Sequence, residues 1–172
     1  MFPRAGGARR PSPRSSAALF TTQTMPSTYT SLHCHIIFST KERIRWITPD
    51  WRERLHAYLG GIAKGLGAVP LAIGGVEDHV HLLIGFKASH RIDYLLRDLK
   101  ADSSAWVHNV LNRKIFSWQQ GYAALSVSPS NLEDVRQYVL RQEEHHRRKT
   151  FREELIELLI ESGIEFKEEY LL

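Results

Sequence analysis

The chain has 172 residues, of which 42% are hydrophobic, and this is enough for one globular domain with a buried core. Its single cysteine, Cys34, excludes an internal disulfide framework and fits a reducing compartment. No run approaches the roughly 18 apolar residues of a membrane span. We therefore expect a cytoplasmic protein that does not interact with a membrane.

The net charge of +4 is distributed unevenly along the chain. The first 24 residues contain four arginines and no acidic residue, and residues 25–152 contain 18 basic and 12 acidic residues. The last twenty residues contain seven glutamates and one lysine. This segregation favours a basic binding face and an acidic flank, although an ordinary solvated surface would also account for it.

Residues 1–28 are rich in Pro, Gly, Ser, Thr and Ala and show no hydrophobic period. This composition predicts a disordered basic tail, followed by one domain over residues 29–172. Met25 stands just before the domain, so an over-extended gene start would also explain the tail. We expect residues 1–24 to be dispensable for folding.

The first predicted strand covers residues 30–39, where apolar side chains alternate from Leu32 to Phe38. Thr48 and the proline after it predict the start of a helix, and its apolar spacing continues to Gly67. A hairpin and a second helix follow, and then a fourth strand. These segments are a strand at 69–76, a turn at Glu77-Asp78, a strand at 79–86, a helix capped by Ser89 and a strand at 121–128.

Two capping-box patterns predict the C-terminal helices. Ser130 with Glu133 would open the third helix, and Thr150 with Glu153 would open a fourth that ends at Gly163. The order is therefore βαββαβ plus two helices. It predicts an α+β, ferredoxin-like (RRM-like) antiparallel sheet with helices on one face.

Two pairs of side chains carry the predicted chemistry. His79 and His81 are two apart on a strand and point to the same side of the sheet, so they can share one metal ion. Tyr138 and Gln142 are four apart on a helix and share one face. Taken alone, the histidines would fit a half-exposed strand, and Tyr138 would fit a core aromatic. Together they supply a metal clamp and a phenol for phosphoryl transfer.

Further motifs accompany these pairs in the order of a known family. They are His35–Lys41, Asp78–Leu83, Trp118–Tyr122 leading to Ser126–Ser128, and Tyr138–Gln142 followed by His145-His146. With them the chain resembles the single-tyrosine HUH transposases of small bacterial insertion sequences, including the REP-associated tyrosine transposases. The resemblance runs from about Tyr29 to the C-terminus. The arginine-bearing tail departs from the family pattern.

The resemblance implies an enzyme that cleaves and rejoins single-stranded DNA at hairpin-bearing element ends, at the bacterial nucleoid. Tyr138 would attack the scissile phosphate and form a 5′-phosphotyrosine, which conserves bond energy so that no nucleotide cofactor is needed. One divalent ion, Mg²⁺ or Mn²⁺, would be held by His79, His81 and Gln142. Because these ligands are neutral, we expect weak metal binding without DNA.

The resemblance also implies a homodimer. The edge strand 121–128 would pair with its copy and cover an exposed sheet edge. The tyrosine helix of one subunit would lie against the histidine pair of the other, with residues 128–130 as the hinge.

Basic residues near these motifs are candidates for DNA contacts. They are Lys41, Arg43, Arg45, His145, His146, Arg147 and Arg148. The last four also fit the solvated end of a helix, where cations complement the helix dipole. Glu77 and Asp78 are interpreted as turn residues rather than metal ligands, and His33 and His35 are left unassigned.

Two other functions fit parts of the pattern. A non-catalytic RRM-like nucleic-acid-binding module would need exposed aromatic side chains where His79 and His81 stand. A zinc-dependent hydrolase would need a third strong ligand and an activated water, and it would not need Tyr138.

Overall fold

The structure, a computed structural model, describes residues 29–168 and residue 171, so the predicted tail over residues 1–28 lies outside the described residues. In this described part of the chain, four strands and five α-helices follow one another, with short 3-10 turns at Lys41–Arg43 and Pro129–Asn131. The elements are β1 (Leu32–Ser39), α1 (Pro49–Gly65), β2 (Val69–Gly75), β3 (His79–Phe86), α2 (Ile92–Val110), β4 (Ala123–Ser126), α3 (Leu132–Leu140), α4 (Gln142–His145) and α5 (Phe151–Glu161).

The four strands form one antiparallel sheet in the order β2-β3-β1-β4. This order, with α1 and α2 as the two crossover helices, confirms the predicted ferredoxin-like fold. The register sets Ile37 and Gly74 on either side of His81. The centre of β3 is therefore covered by strands on both edges, and β2 and β4 are the edge strands.

Both faces of the sheet are covered, whereas the sequence predicted helices on one face. On the first face, the main core packs Ile36, Phe38 and Leu82 against α1 and α2. On the second face, Leu83 packs with residues of α3, and Ile37 packs with residues of α5. The C-terminal helices are needed there because this face also carries apolar side chains that must be kept from water.

Two of the predicted helix caps differ from the structure. Ser130 lies in the 3-10 turn, and α3 begins at Leu132 without a side-chain cap. The second helix begins at Ile92 rather than after Ser89, because His90 closes a turn by bonding to Lys87. The capping box of Thr150 and Glu153 is confirmed, with both of its hydrogen bonds present. The predicted fourth strand shortens to Ala123–Ser126.

Two adjacent glycines end β2 and allow α3 to pack on the second face of the sheet. Gly75 has a φ of 149°, which favours glycine, and it leads into the turn before His79. Gly74 lies directly beneath the backbone of α3, where a Cβ would collide with the carbonyl group of Val139. The absence of a side chain at position 74 therefore lets α3 lie close against the sheet.

A buried arginine links α1 to the β2–β3 turn and to α4, which lies on the second face of the sheet. The Arg52 guanidinium donates one hydrogen bond to Glu77 in the β2–β3 turn, at 2.8 Å, and another to Glu143 in α4. Only 5% of Arg52 is exposed.

Among the described residues, no helix is long and apolar enough to cross a membrane.

Candidate metal centre and tyrosine site

His79 and His81 are fully buried on the second face of β3. Alternation along the strand places both rings on this face, with ring centroids 5.0 Å apart. The Nε2 atom of each ring is buried and has no hydrogen-bond partner. Burying a polar nitrogen atom without a partner costs free energy unless a ligand binds to it.

The opposite nitrogen of each ring is held by a neighbour. His79 Nδ1 lies 2.7 Å from Asp78 Oδ1, and Arg43 lies 3.2 Å from the other oxygen of that carboxylate. His81 Nδ1 lies 2.9 Å from His35 Nε2. Asp78, predicted to be a turn residue, and His35, left unassigned, therefore both orient the histidine pair.

Tyr138 lies on α3 above the histidines of its own chain. Its ring centroid is 6.0 Å from that of His81 and 5.8 Å from that of His35. Its hydroxyl group donates a hydrogen bond to Glu154 of α5. The short turn Pro129–Asn131 folds α3 back over the sheet of the same chain. The expectation that Tyr138 lies against a partner's histidines concerns a second chain and stays a prediction.

Gln142 follows a break in the tyrosine helix, since α3 ends at Leu140 and α4 begins at Gln142. Only 1% of Gln142 is exposed. Its Nε2 atom donates to the carbonyl oxygen of Tyr138 and to Glu154, both at 3.3 Å, and its Oε1 atom is buried without a partner. The sequence predicted Tyr138 and Gln142 on one helix, whereas the structure divides that helix at Arg141 and the Gln142 amide still bonds to the Tyr138 carbonyl group.

Glu154 and His146 complete the cluster. Glu154 Oε2 lies 3.2 Å from His146 Nε2, 3.5 Å from His81 Nε2 and 3.8 Å from His79 Nε2. His145, adjacent in the chain, lies 3.5 Å from the other carboxylate oxygen. The predicted DNA contact His146 is thus placed among the candidate metal ligands.

Glu154 was missed from the sequence, although a signal was present. Phe151, Leu155 and Leu158 form the apolar face of α5, and Glu154 falls on that face at helical spacing. Only 2% of Glu154 is exposed. A carboxylate in an apolar stripe is rarely buried unless it is paired, so it would have pointed to a site.

Burial and contacts between charged groups together set the protonation of the cluster. It lowers the pKa of His81 to about 4 and that of His35 to about 3, so both rings are neutral at pH 7. Burial opposes ionisation of Glu154, but contacts with His146, His81 and Tyr138 outweigh it and hold the pKa of this carboxyl far below its usual range. Burial, together with the charge of Glu154, raises the pKa of Tyr138 well above its usual value.

The residues present fit a divalent cation. Nε2 of His79, His81 and His146, Oε2 of Glu154 and Oε1 of Gln142 are all buried without hydrogen-bond partners. One donor atom from each histidine and from the glutamate lies within 4.8 Å of all the others. The convergence of unpaired nitrogen and oxygen lone pairs on one point is what a metal site requires.

Most of the predicted DNA contacts surround this cluster. One cleft lies on the histidine side and another lies beside Tyr138, and Arg148 lines both. His145 lines the tyrosine cleft, while Lys41 lines neither. The cleft on the histidine side is lined by Arg43, Arg45, His146, Arg147 and Arg148, together with Arg52 and Lys149.

Comparison with known proteins identifies the family. Residues 28–142 match the family described as "Transposase IS200 like", which is more than half of the chain. The chain belongs to the IS200-like transposase family. The match includes His79, His81, Tyr138 and Gln142, whereas His146 and Glu154 lie beyond it. A comparison with curated proteins found no match.

Two solved structures resemble this IS200-like transposase. One is the 1.90 Å crystal structure of a Deinococcus radiodurans R1 protein described as a transposase, with 24% identity and a TM-score of 0.56. The alignment covers 68% of this chain and 95% of that chain. The other is a REP-associated tyrosine transposase bound to a REP hairpin, with 12% identity, a TM-score of 0.47 and 67% of each chain covered. The first likeness supports the fold.

Proposed function

We propose that this IS200-like transposase cleaves and rejoins single-stranded DNA through a covalent bond to Tyr138. One observation carries the proposal. The Tyr138 hydroxyl group is bonded to Glu154, and Glu154 also faces the unpaired Nε2 atoms of His79 and His81. A nucleophile and a candidate metal centre thus meet at one buried point, as a phosphoryl transfer requires.

The proposed reaction exchanges one phosphoester bond for another. Tyr138 Oη bonds to the scissile phosphorus, and the bond from phosphorus to the 3′-oxygen breaks. The products are a 5′-phosphotyrosine and a strand with a free 3′-hydroxyl group. The phenol loses one proton and the leaving 3′-oxygen gains one, so the step is balanced, and the carboxylate of Glu154 orients the phenol by accepting its hydrogen bond. Attack by a 3′-hydroxyl group on the phosphotyrosine reverses the step, so the bond energy is conserved for rejoining.

The chain's residues hold the nucleophile in place. Glu154 fixes the direction of Oη, and Gln142 bonds to both Glu154 and the backbone of Tyr138. His79, His81 and Gln142 are the predicted ligands of Mg²⁺ or Mn²⁺, and Glu154 and His146 are placed to join them. A divalent cation there would stabilise charge on the phosphate oxygens, on the phenolate and on the leaving 3′-oxygen.

The cleft on the histidine side, which Glu77, Asp78, Glu143 and Glu153 also line, is the proposed path for the DNA backbone. Arg147, Arg148 and Lys149 of the cleft belong to the same connection as His146, which lies in the cluster. Phosphate contacts of this kind position a strand next to a reactive centre without reading its sequence. Binding of a hairpin at the element end comes from the family resemblance.

A homodimer formed through β4 remains part of the proposal. β4 is an edge strand of the sheet, and pairing with a second copy would satisfy its free backbone groups. The sharing of sites also remains part of the proposal: the tyrosine helix of one subunit would lie against the histidine pair of the other, whereas in one chain alone Tyr138 lies against its own histidines. The homodimer would also hold two element ends together for exchange.

The two alternative functions fit less well. An RRM-like module needs exposed rings on the sheet, whereas His79 and His81 are fully buried. A zinc hydrolase would find its third strong ligand in Glu154 or His146. It would leave the buried hydrogen bond of Tyr138 to Glu154 without a role.

The test is a covalent adduct. The full chain is incubated with Mg²⁺ or Mn²⁺ and single-stranded oligonucleotides taken from the palindromes that flank its gene. We expect a denaturation-resistant protein–DNA adduct that maps to Tyr138, and we expect Tyr138→Phe to abolish it while hairpin binding persists. Tyr94→Phe, a change at an exposed tyrosine of α2, is the matched control and should retain the adduct. An adduct at another tyrosine would refute the assignment.

A further inference from the structure

The three imidazoles of the cluster share one orientation. His79 Nδ1 is held by Asp78 and His81 Nδ1 by His35, as described above. His146 Nδ1 lies 3.0 Å from the carbonyl oxygen of Lys149. Each ring therefore uses Nδ1 for a protein contact and leaves Nε2 unpaired toward the others. Fixing one ring nitrogen through a neighbour is the usual support of a metal-ligating histidine.

The spacing of the four donor atoms fits direct coordination. Bonds of about 2.0–2.2 Å from zinc to nitrogen or oxygen place adjacent ligand atoms of a tetrahedral site about 3.3–3.6 Å apart. The distances from Glu154 Oε2 to the three Nε2 atoms are 3.2, 3.5 and 3.8 Å. The four donor atoms lie within 4.8 Å of one another, so the side chains would have to move closer by up to about 1 Å to bind the ion.

The chemistry of the donors selects the class of metal. Three imidazoles and one carboxylate favour borderline transition metals such as Zn²⁺, Co²⁺ and Mn²⁺, whereas Mg²⁺ prefers oxygen ligands and retains its waters. The carboxylate also adds a negative charge that an all-neutral set of His79, His81 and Gln142 would lack. We propose that the chain binds one transition-metal ion through His79, His81, His146 and Glu154 in the absence of DNA.

The C-terminal segment completes this site. His146 and Glu154 follow residue 142, where the match to the family ends. The inference rests on the proposed function for the presence of a metal centre, but not for DNA cleavage. It differs from the sequence-based expectation of weak binding without DNA, and a metal titration decides between the two.

The experiment is a metal titration of the full chain without DNA. Protein stripped with chelator is titrated with Zn²⁺, Mn²⁺ and Mg²⁺ by calorimetry, and the bound metal is counted after dialysis. We expect one Zn²⁺ per chain, bound more tightly than Mn²⁺ and at least about 100-fold more tightly than Mg²⁺, in the order that nitrogen ligands impose. Co²⁺ should show the intense visible absorption of a four-coordinate site.

Variants assign the ligands. Glu154→Gln and His146→Ala should each weaken Zn²⁺ binding at least about tenfold, the lower range seen when even the supports of metal ligands are removed. Glu161→Gln, an exposed change on the same helix, is the matched control and should bind as the wild type does. Circular dichroism checks that each stripped variant is folded, and His146→Ala carries the test if Glu154→Gln does not fold.

The outcomes separate this inference from the proposed function. Absence of Zn²⁺ binding without DNA, equal affinity for Zn²⁺ and Mg²⁺, or wild-type affinity of both variants would overturn it. An adduct formed with Mg²⁺ by a protein that does not bind Zn²⁺ would leave the proposed cleavage intact. Zinc binding as expected without any adduct would support the inference and refute the cleavage.

Discussion

Replacing Gly74 with alanine tests how closely the tyrosine helix must lie against the sheet. A Cβ at this position would be 3.0 Å from the carbonyl carbon of Val139 and closer still to its oxygen. Carbon atoms pack best at about 3.5–4.0 Å, so α3 would have to move outward on the order of 1 Å. The obstacle is backbone, and no side-chain rotation relieves it.

Two effects of Gly74→Ala follow from this displacement. Overpacking costs about 1–3 kcal/mol, and for a domain of this size each kcal/mol lowers the melting temperature by about 2–4 °C. The shift also moves Tyr138, which directly precedes Val139 on α3, away from the candidate metal centre. A misplacement of about 1 Å can lower a rate about 100-fold.

The assay compares thermal unfolding and adduct formation of Gly74→Ala with those of Gly85→Ala. Gly85 is also in a strand, but a Cβ there would meet its nearest atom, on His33, at 3.4 Å, which is ordinary contact. This control should cut normally and gain up to about 1 kcal/mol from the less flexible unfolded chain. Equal melting temperatures and equal rates for the two variants would refute the close packing of α3 on β2.

Three further predictions concern acidity, salt and subunit exchange. Unfolded histidines protonate near pH 6.5, whereas burial holds the pKa of His81 at about 4 and that of His35 at about 3. Between these pH values the unfolded metal-free chain therefore binds more protons than the folded chain. The free energy of unfolding should fall as pH drops from about 6.5 to 4, by up to about 1.4 kcal/mol per pH unit for each group. Equal urea midpoints at pH 7 and pH 5 would contradict this. Arg147→Ala should weaken binding of all single-stranded sequences alike and reduce the slope of log affinity against log salt by about 0.7, whereas an unchanged slope would exclude a phosphate contact. A mixture of Tyr138→Phe and His81→Ala, each inactive alone, should regain cleavage, because a heterodimer with shared sites contains one intact pair of histidines facing an intact tyrosine, and a mixture that stays inactive would refute the shared site.

The elements were largely predictable because their signals are local. Alternation over 30–39 and 79–86 and the capping box at Thr150 depend on neighbours in sequence, and the structure contains β1, β3 and α5 at these places. The cap at Ser130 failed because a 3-10 turn competes for the same residues. Such competition depends on how α3 meets the sheet, which short-range patterns do not encode.

The candidate site was predictable only where its residues form short motifs. Spacing alone places His79 beside His81 and Tyr138 beside Gln142. Glu154 joins them from another helix, and its position depends on how α5 packs over the second face of the sheet. No local pattern specifies that contact, although the charge within an apolar stripe marked the residue as unusual.

Arg52 lies on α1, outside the candidate site, and its guanidinium helps to hold α4 in position within that site. Of the four residues of α4, only Gln142 is buried, so apolar packing contributes little to holding this helix. The guanidinium bridges two carboxylates through different nitrogens, and the single ammonium of a lysine cannot reproduce that planar geometry. Loss of either carboxylate would leave a buried charge half-compensated, a situation that costs several kcal/mol when the burial is complete. Arg52 therefore connects the β2–β3 turn to α4. Loss of Glu77 or Glu143 would weaken this connection and loosen the helix that precedes His146.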